Sequence, residues 1–178
     1  MKKEDKAVYY TTVTLKGIKF NIYATANGIC RIDLNKTIES RNTSKRQKTV
    51  LKKTKLYEDD PYFFGVVNQL KEYFAGKRKS FDVPLDLTGT EFQLKVWKEL
   101  QNIPYGETVS YKEIALRLGN AKLVRAIGIT NGTNPIPIII PCHRVIYSSG
   151  QLGGYSAGVD IKIKLLETEG CLPLELFE

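Results

Sequence analysis

The spacing of apolar and polar positions changes character twice along the chain. Val8–Leu15 is rich in β-branched and aromatic residues, Ile18–Ala24 alternates, Asn27-Gly28 makes a turn, and Ile29–Leu34 resumes the strand pattern. These segments predict a small antiparallel sheet. Pro61–Phe74 (PYFFGVVNQLKEYF) shifts to helical spacing and stops at Gly76. Phe81–Leu87 alternates again and runs into Thr88-Gly89-Thr90, which reads as a last strand and then a linker.

From there the pattern is helical. Thr90 is placed to cap Glu91–Leu100, a helix with Phe92, Val96, Trp97 and Leu100 on one core-facing side. Pro104-Tyr105-Gly106 breaks the chain, Ser110 caps a helix over Tyr111–Leu118, Gly119-Asn120 turns, and Lys122–Ile129 forms a third helix ending near Gly132. Two short helices joined by a glycine-containing turn form a helix-turn-helix pattern. Ala126 and Gly128 leave the second of these helices with little side-chain bulk, which suits close packing on another helix or close approach to a nucleic-acid backbone. The pattern predicts an α+β chain of two domains, residues 1–88 and 89–178.

The 178 residues suffice for that arrangement, and no apolar run approaches the ~20 residues of a membrane-spanning helix. The amino terminus has a charged head without an apolar stretch behind it, unlike a secretory signal, so a cytoplasmic protein is expected. Net charge is +8, which favours acidic partners. Its distribution weakens that inference: residues 1–88 carry 18 Lys/Arg against 10 Asp/Glu, and residues 89–178 carry 9 of each. Much of the excess sits in residues 40–55 (SRNTSKRQKTVLKKTK), which read as a solvated loop or frayed helix, or else an arm touching DNA phosphate. The three cysteines, Cys30, Cys142 and Cys171, are widely spaced, and the single histidine is His143. Neither a disulfide framework nor a four-ligand zinc site fits that set.

The stretch Asn134–Val145 (NPIPIIIPCHRV) carries the chemistry. Two prolines predict an extended, low-entropy approach, and the apolar run behind them delivers Cys142 and His143 into the interior. A buried thiol is normally inert, so a nucleophilic Cys142 needs a base, and His143 is the only imidazole. Chain neighbours on a strand point apart; a short turn after Pro141, or a bridging water, is therefore expected. A carboxylate must orient the imidazole. Glu167 and Glu169, in a last helix over Ile161–Glu169, are both candidates. The plainer alternative is a packed core cysteine beside a hydrogen-bonded histidine.

PCHRV at Pro141–Val145, with SYKEIA at Ser110–Ala115, RAIG at Arg125–Gly128, NPIPIII before the cysteine, GGYSAG at Gly153–Gly158 and KLLETEG at Lys164–Gly170, resembles the O6-alkylguanine-DNA alkyltransferases. The likeness covers about Thr90–Gly170; the first half resembles the family only in length and strand pattern. It implies a ribonuclease-H-like sheet and helix followed by a winged-helix-like domain. It further implies direct repair of double-stranded DNA, by irreversible transfer of an alkyl group from O6 of guanine (and O4 of thymine in some relatives) onto Cys142. By the resemblance His143 activates Cys142 through water, Glu169 rather than Glu167 stands behind His143, Asn134 braces the turn, and Tyr111 pushes the 3′ phosphate, meets guanine N3 and donates a proton. Arg125 is the finger that replaces the flipped nucleotide, and Tyr155 and Ser156 close over it. Pro137 walls the alkyl pocket, and the carbonyls of Cys142 and Val145 accept from the guanine amine. Lys122, Asn120, Ala126 and Gly128 belong to the DNA-facing surface. No cofactor, metal or obligate protein partner is implied, and a monomer is expected. Some relatives hold zinc in the first half, where this chain has one cysteine and no histidine. Asn131 and Thr133 depart from residues common in the family.

Two other functions use the same residues. A helix-turn-helix regulator could carry Cys142 as a sensor, but it should read bases with Arg, Asn or Gln, and Leu123, Ala126, Ile127 and Gly128 serve that poorly. A cysteine hydrolase would need an oxyanion hole, of which the sequence gives no specific sign.

Overall fold

The computed structural model describes residues 7–36, 56–59 and 61–172. The basic stretch 40–55 lies outside them. The chain divides into two compact units, Met1–Leu87 and Thr88–Glu178.

In the first unit, β1 (Val8–Leu15), β2 (Ile18–Thr25) and β3 (Gly28–Leu34) form the expected antiparallel meander. Leu15 pairs with Ile18 across Lys16-Gly17, whose φ values of 49° and 76° are those of a two-residue hairpin turn. Beyond that expectation, β4 (Leu56–Glu58) adds to the edge of β1 in parallel, giving the order β3-β2-β1-β4. Helix α1 (Phe64–Phe74), preceded by a 3-10 turn at Pro61–Phe63, buries Val66, Leu70, Tyr73 and Phe74, one stripe at helical spacing. Phe74 meets Phe20 of the central strand edge-on, 5.9 Å between ring centres.

The strand expected at Phe81–Leu87 does not form. Leu85 makes one isolated parallel bridge to Ile29, with Ile29 N donating to Pro84 O at 2.8 Å and Asp86 N to Ile29 O at 2.9 Å. Pro84 has no N–H to extend the ladder. The contact is tight: a Cβ on Gly28, at φ +141°, would fall 2.4 Å from the Pro84 oxygen.

The second unit contains α2 (Glu91–Gln101), α3 (Tyr111–Arg117), α4 (Val124–Gly132) and α5 (Val159–Glu169), with a parallel pair of β5 (Val109–Ser110) and β6 (Val145–Ile146). Both expected caps are complete capping boxes. Thr90 Oγ1 accepts from Gln93 N while Gln93 Oε1 accepts from Thr90 N, and Ser110 and Glu113 repeat the exchange. Lys122 falls in a 3-10 turn, Ala121–Leu123, ahead of α4 rather than within the helix. Asn120 caps that turn, its Oδ1 accepting from Lys122 N at 2.9 Å. In α2, Val96, Trp97 and Leu100 are buried, and Trp97 Nε1 donates to Thr130 O near the end of α4 at 3.2 Å. That bond sets where α4 delivers the chain to the segment that follows. Among the described residues no helix is long and apolar enough to cross a membrane.

Candidate active site

The segment between α4 and Cys142 is a closed turn, not the extended approach its prolines predict. Asn134 folds it: Nδ2 donates to Ile140 O at 2.7 Å, and Oδ1 accepts from Ile136 N at 3.0 Å. Ile140 N then donates to Ile136 O at 2.9 Å. The prolines remove N–H groups that would otherwise compete, and the asparagine amide supplies both a donor and an acceptor. Ile138 is held at φ 76°, a rare conformation for a β-branched residue, four positions before the cysteine. Pro137 is buried in this turn. After Pro141, Cys142–Arg144 forms the expected short turn.

Cys142 and His143 are both buried, at 2% and 0% exposure. The sulfur lies 3.9 Å from the Tyr155 hydroxyl. Behind it, His143 Nε2 meets Glu169 Oε1 at 2.7 Å, and Glu169 is the carboxylate brought to the histidine; Glu167 is not its partner. Arg144 grips the same carboxylate twice, Nε to Oε2 at 2.8 Å and Nη2 to Oε1 at 3.0 Å, while its Nη1 donates to Ile103 O. Gly106 N donates to Oε2 at 3.2 Å. The Tyr105 ring stacks on the guanidinium, 5.8 Å from its centre, and the Tyr105 hydroxyl donates to Thr168 O.

These contacts decide the protonation states. Burial alone would raise the Glu169 carboxyl, but the bonds from His143 and Arg144 bring it down to about 2, so it is ionised. Burial pushes the His143 imidazole below its ordinary value, against the pull of Glu169. The ring is therefore neutral at pH 7, and an ionised Glu169 at Nε2 fixes the ring proton there. His143 Nδ1 is left as a buried lone pair with no hydrogen-bond partner in the protein. Burial also raises the Cys142 thiol, although hydrogen bonding with Asn134 and Tyr155 and the charge of Lys162 work the other way. At rest the pair is a neutral thiol and a neutral imidazole whose free nitrogen can take a proton.

Three polar residues of the site had no role in the sequence reading. Arg144 is one. Asn131, at the end of α4, is buried and donates from Nδ2 to Cys142 O at 3.2 Å, while its Oδ1 has no hydrogen-bond partner among the described residues. Lys162 of α5 is fully buried and donates from Nζ to Val145 O at 2.7 Å and to Leu152 O. Its signal was a lysine set in the apolar stripe of Ile161, Leu165 and Leu166. The two carbonyls assigned to the guanine amine are thus already bound by protein donors: that of Cys142 accepts from Asn131 Nδ2 and from Val145 N, and that of Val145 accepts from Lys162 Nζ. Burial raises the Tyr111 hydroxyl, which stays protonated at neutral pH.

Helix α4 presents Arg125 outward with Val124 and Ile129, and Lys122 is exposed just before it. Among the described residues neither cation has a carboxylate partner. Ala126 and Gly128 are half-buried. A Cβ on Gly128 would come no nearer than 3.9 Å to Tyr111, an ordinary contact; internal packing does not require glycine there. Ser156 is exposed beside Tyr155. Among the described residues no group of three or more His, Cys, Asp or Glu side chains is arranged to hold a metal ion.

Residues 8–87 match the family model of the 6-O-methylguanine DNA methyltransferase ribonuclease-like domain, and residues 91–171 that of its DNA binding domain. The methylated-DNA–protein-cysteine methyltransferase of Methanosarcina acetivorans is 55% identical over 113 residues, 64% of this chain and 72% of that protein. The protein of that name from Mycobacterium tuberculosis is 57% identical over 111 residues, 62% of this chain and 67% of its own. Among solved structures, the Mycobacterium tuberculosis O6-methylguanine methyltransferase superposes with a TM-score of 0.77 at 41% identity, covering 96% of this chain and 99% of that one. A crystal structure of the same organism's OGT in complex with DNA gives 0.78 at 42%, with the same coverage. Both halves of the chain, and the Cys-His-Glu centre in the second, therefore place it in the 6-O-methylguanine DNA methyltransferase family.

Proposed function

We propose that this protein repairs DNA directly, moving an alkyl group from O6 of guanine to Cys142 once per molecule. The observation that carries the reading is the buried Cys142 backed by His143 and Glu169, in a unit whose α3–α4 pair has the form of a DNA-binding helix-turn-helix.

An alkyl group on O6 lies inside the base stack, beyond reach of a buried sulfur, so the nucleotide must be turned out, at a cost of about a few kcal/mol. Arg125 enters the vacated space. The small Ala126 and Gly128 let α4 lie close to the minor groove. Lys122, Asn120 and the amides around Tyr111 contact phosphate. Tyr155 and Ser156 fold over the extruded base, and Pro137 borders the alkyl group. The carbonyls of Cys142 and Val145 accept from the guanine amine, that of Cys142 in exchange for one of its two protein donors.

The thiol proton passes through a water to His143 Nδ1. The sulfur attacks the alkyl carbon in line, an S–C bond forms, and the O6–C bond breaks with its electron pair going to guanine. The guanine anion takes a proton from the Tyr111 hydroxyl, which is re-protonated from the His143 side. Glu169 stabilises the transient imidazolium, and Asn134 holds the turn in register. The thioether has no nucleophile placed to hydrolyse it, so the protein is consumed. No cofactor is required, and a cytoplasmic monomer acting on double-stranded DNA fits this scheme. O4-alkylthymine would enter the same pocket.

Incubation with duplex DNA carrying labelled O6-methylguanine, followed by mass mapping, should find one equivalent of label on the Cys142 peptide. Cys142→Ala should lose transfer and keep DNA binding. Label elsewhere, or transfer by that variant, would overturn the reading. Tight sequence-specific binding without transfer would favour the sensor-type regulator.

A further inference from the structure

Ile129, in the second turn of α4, is an aliphatic side chain left 64% exposed. A single exposed aliphatic is ordinary on a protein surface; this one stands on the face that meets DNA in the scheme above. Arg125, Gly128, Ile129 and Gly132 recur at helical spacing and share one side of the helix. A Cβ on Gly132 would meet nothing within 4 Å, and one on Gly128 only the Tyr111 ring at 3.9 Å. Ile129 therefore stands between two bare stretches of backbone, one turn beyond Arg125. Residues 121–133 contain no Asp or Glu, so no carboxylate of this segment repels phosphate. Isoleucine is branched at Cβ and stiff in a helix, so it cannot fold flat against α4.

We propose that Ile129 is an apolar wedge that meets the base pair beside the lesion in the minor groove and sets a preference against guanine there. The inference rests on the alkyl-transfer reading and on α4 lying in that groove. At about 1.5 Å per residue, Ile129 stands about 6 Å along α4 from Arg125. With about 3.4 Å per base-pair step, that is within two pairs of the place the extruded nucleotide leaves. Both A·T and G·C pairs carry acceptors in the minor groove, so these do not discriminate; only G·C adds the guanine N2 amine. One N–H of that amine pairs with cytosine, and the other projects into the groove. Isoleucine has no acceptor for it and displaces the water that would serve instead, so a buried donor is left unpaired. Over an A·T pair the same methyl groups rest on adenine C2–H. A polar side chain at this position would level the two.

The test times single-turnover transfer on duplexes carrying O6-methylguanine. The neighbouring pairs on either side are A·T, G·C or inosine·C, inosine being the guanine analogue without the N2 amine. In wild type the A·T and inosine·C duplexes should react on the order of fivefold to fiftyfold faster than the G·C duplex. An inosine·C pair also opens more easily, so the wild-type ratio is compared with that of Ile129→Ala, whose folding is checked by thermal melt. Truncation should bring the three duplexes to nearly equal rates, and Ile129→Val, also branched at Cβ, should keep the wild-type order. A wild type that reacts equally with G·C and inosine·C neighbours would overturn the proposal. So would an Ile129→Ala variant that keeps the wild-type ratio. Absence of transfer on every duplex would instead refute the alkyl-transfer reading and this inference with it, whereas transfer without a context effect refutes this inference alone.

Discussion

Glu169→Gln tests the centre most directly, because one carboxylate there serves three partners. Four hydrogen bonds converge on it, from His143, twice from Arg144, and from the Gly106 amide. Its carboxyl falls from 4.5 to about 2 in the fold, which at about 1.4 kcal/mol per pH unit corresponds to about 3–4 kcal/mol of folding free energy. Neutralising one member of a buried pair independently costs about 3–5 kcal/mol, and the new amide, which keeps some hydrogen bonds, should fall at the lower end. The sign follows from linkage. A carboxyl with a depressed folded value stabilises fully above about pH 4.5 and loses that contribution as pH falls toward 2. The stability gap between wild type and variant in urea titrations should be about 3 kcal/mol at pH 7 and should narrow below pH 4.5. A chemical consequence accompanies it. The amide can donate to His143 Nε2, moving the ring proton to Nδ1 and removing the acceptor for the thiol proton; transfer should drop by about 10²–10⁴-fold. A variant as stable as wild type at pH 7, or a gap that is constant with pH, would refute the electrostatic account. Unchanged transfer would refute the tautomer argument.

Other substitutions separate the remaining roles. Arg125→Ala should slow repair of duplex DNA far more than reaction with free O6-benzylguanine, since only the duplex requires extrusion; equal losses would remove the finger role. Gly128→Ala should stabilise the protein by about 0.5–1 kcal/mol in thermal melts, because a Cβ fits there, while weakening binding to duplex DNA in a fluorescence titration. Gly28→Ala should cost about 2 kcal/mol or more, since the Pro84 carbonyl is backbone and cannot step aside; a neutral effect in urea titration would show that the β3 edge is looser than described. His143 makes acid sensitivity begin earlier than Glu169 alone would. With a folded value below 6.5 it stabilises fully above that pH and loses its share as pH falls beneath it, so wild-type melting temperature should start to decline there.

Local chemistry was the most legible part of the fold. Thr90 with Gln93 and Ser110 with Glu113 announced two helix starts because a capping box is written within four residues. Strands β1–β3 were legible from their β-branched and aromatic residues and from the Asn27-Gly28 turn, although β2 is buried continuously over Phe20–Ala24. Strand β4 was not, being three residues long and recruited by the edge of β1 some forty residues earlier. The turn from Asn134 to Pro141 was misread for a related reason. Prolines state what their own φ must be, but the fold of that segment is set by the two bonds of the Asn134 amide. In the site, Cys142 and His143 followed from type and adjacency. Arg144, Asn131 and Lys162 did not, because each acquires its meaning from a partner 25, 11 or 17 residues away.

The neutral resting state of Cys142 bears on how a protein that reacts only once avoids wasting its sulfur. An exposed low-pKa thiolate reacts with any electrophile or oxidant it meets. Here burial holds the thiol protonated, so the site is quiet while empty. A bound base changes the balance without any new charge from the protein. In the proposed mechanism it presents a leaving group to Tyr111, while His143 Nδ1, kept free of a proton by the Glu169 bond at Nε2, receives the one the thiol gives up. Activation then depends on occupancy rather than on pH alone. It follows that the rate of Cys142 modification by a small alkylating reagent should underestimate its rate with a bound alkylguanine by far more than solution chemistry of the two reagents accounts for. Glu169→Gln should erase most of that difference while leaving the small-reagent rate comparatively little changed. If both rates fell together, the imidazole would be setting the resting thiol's ionisation, and the quiet state would have another origin.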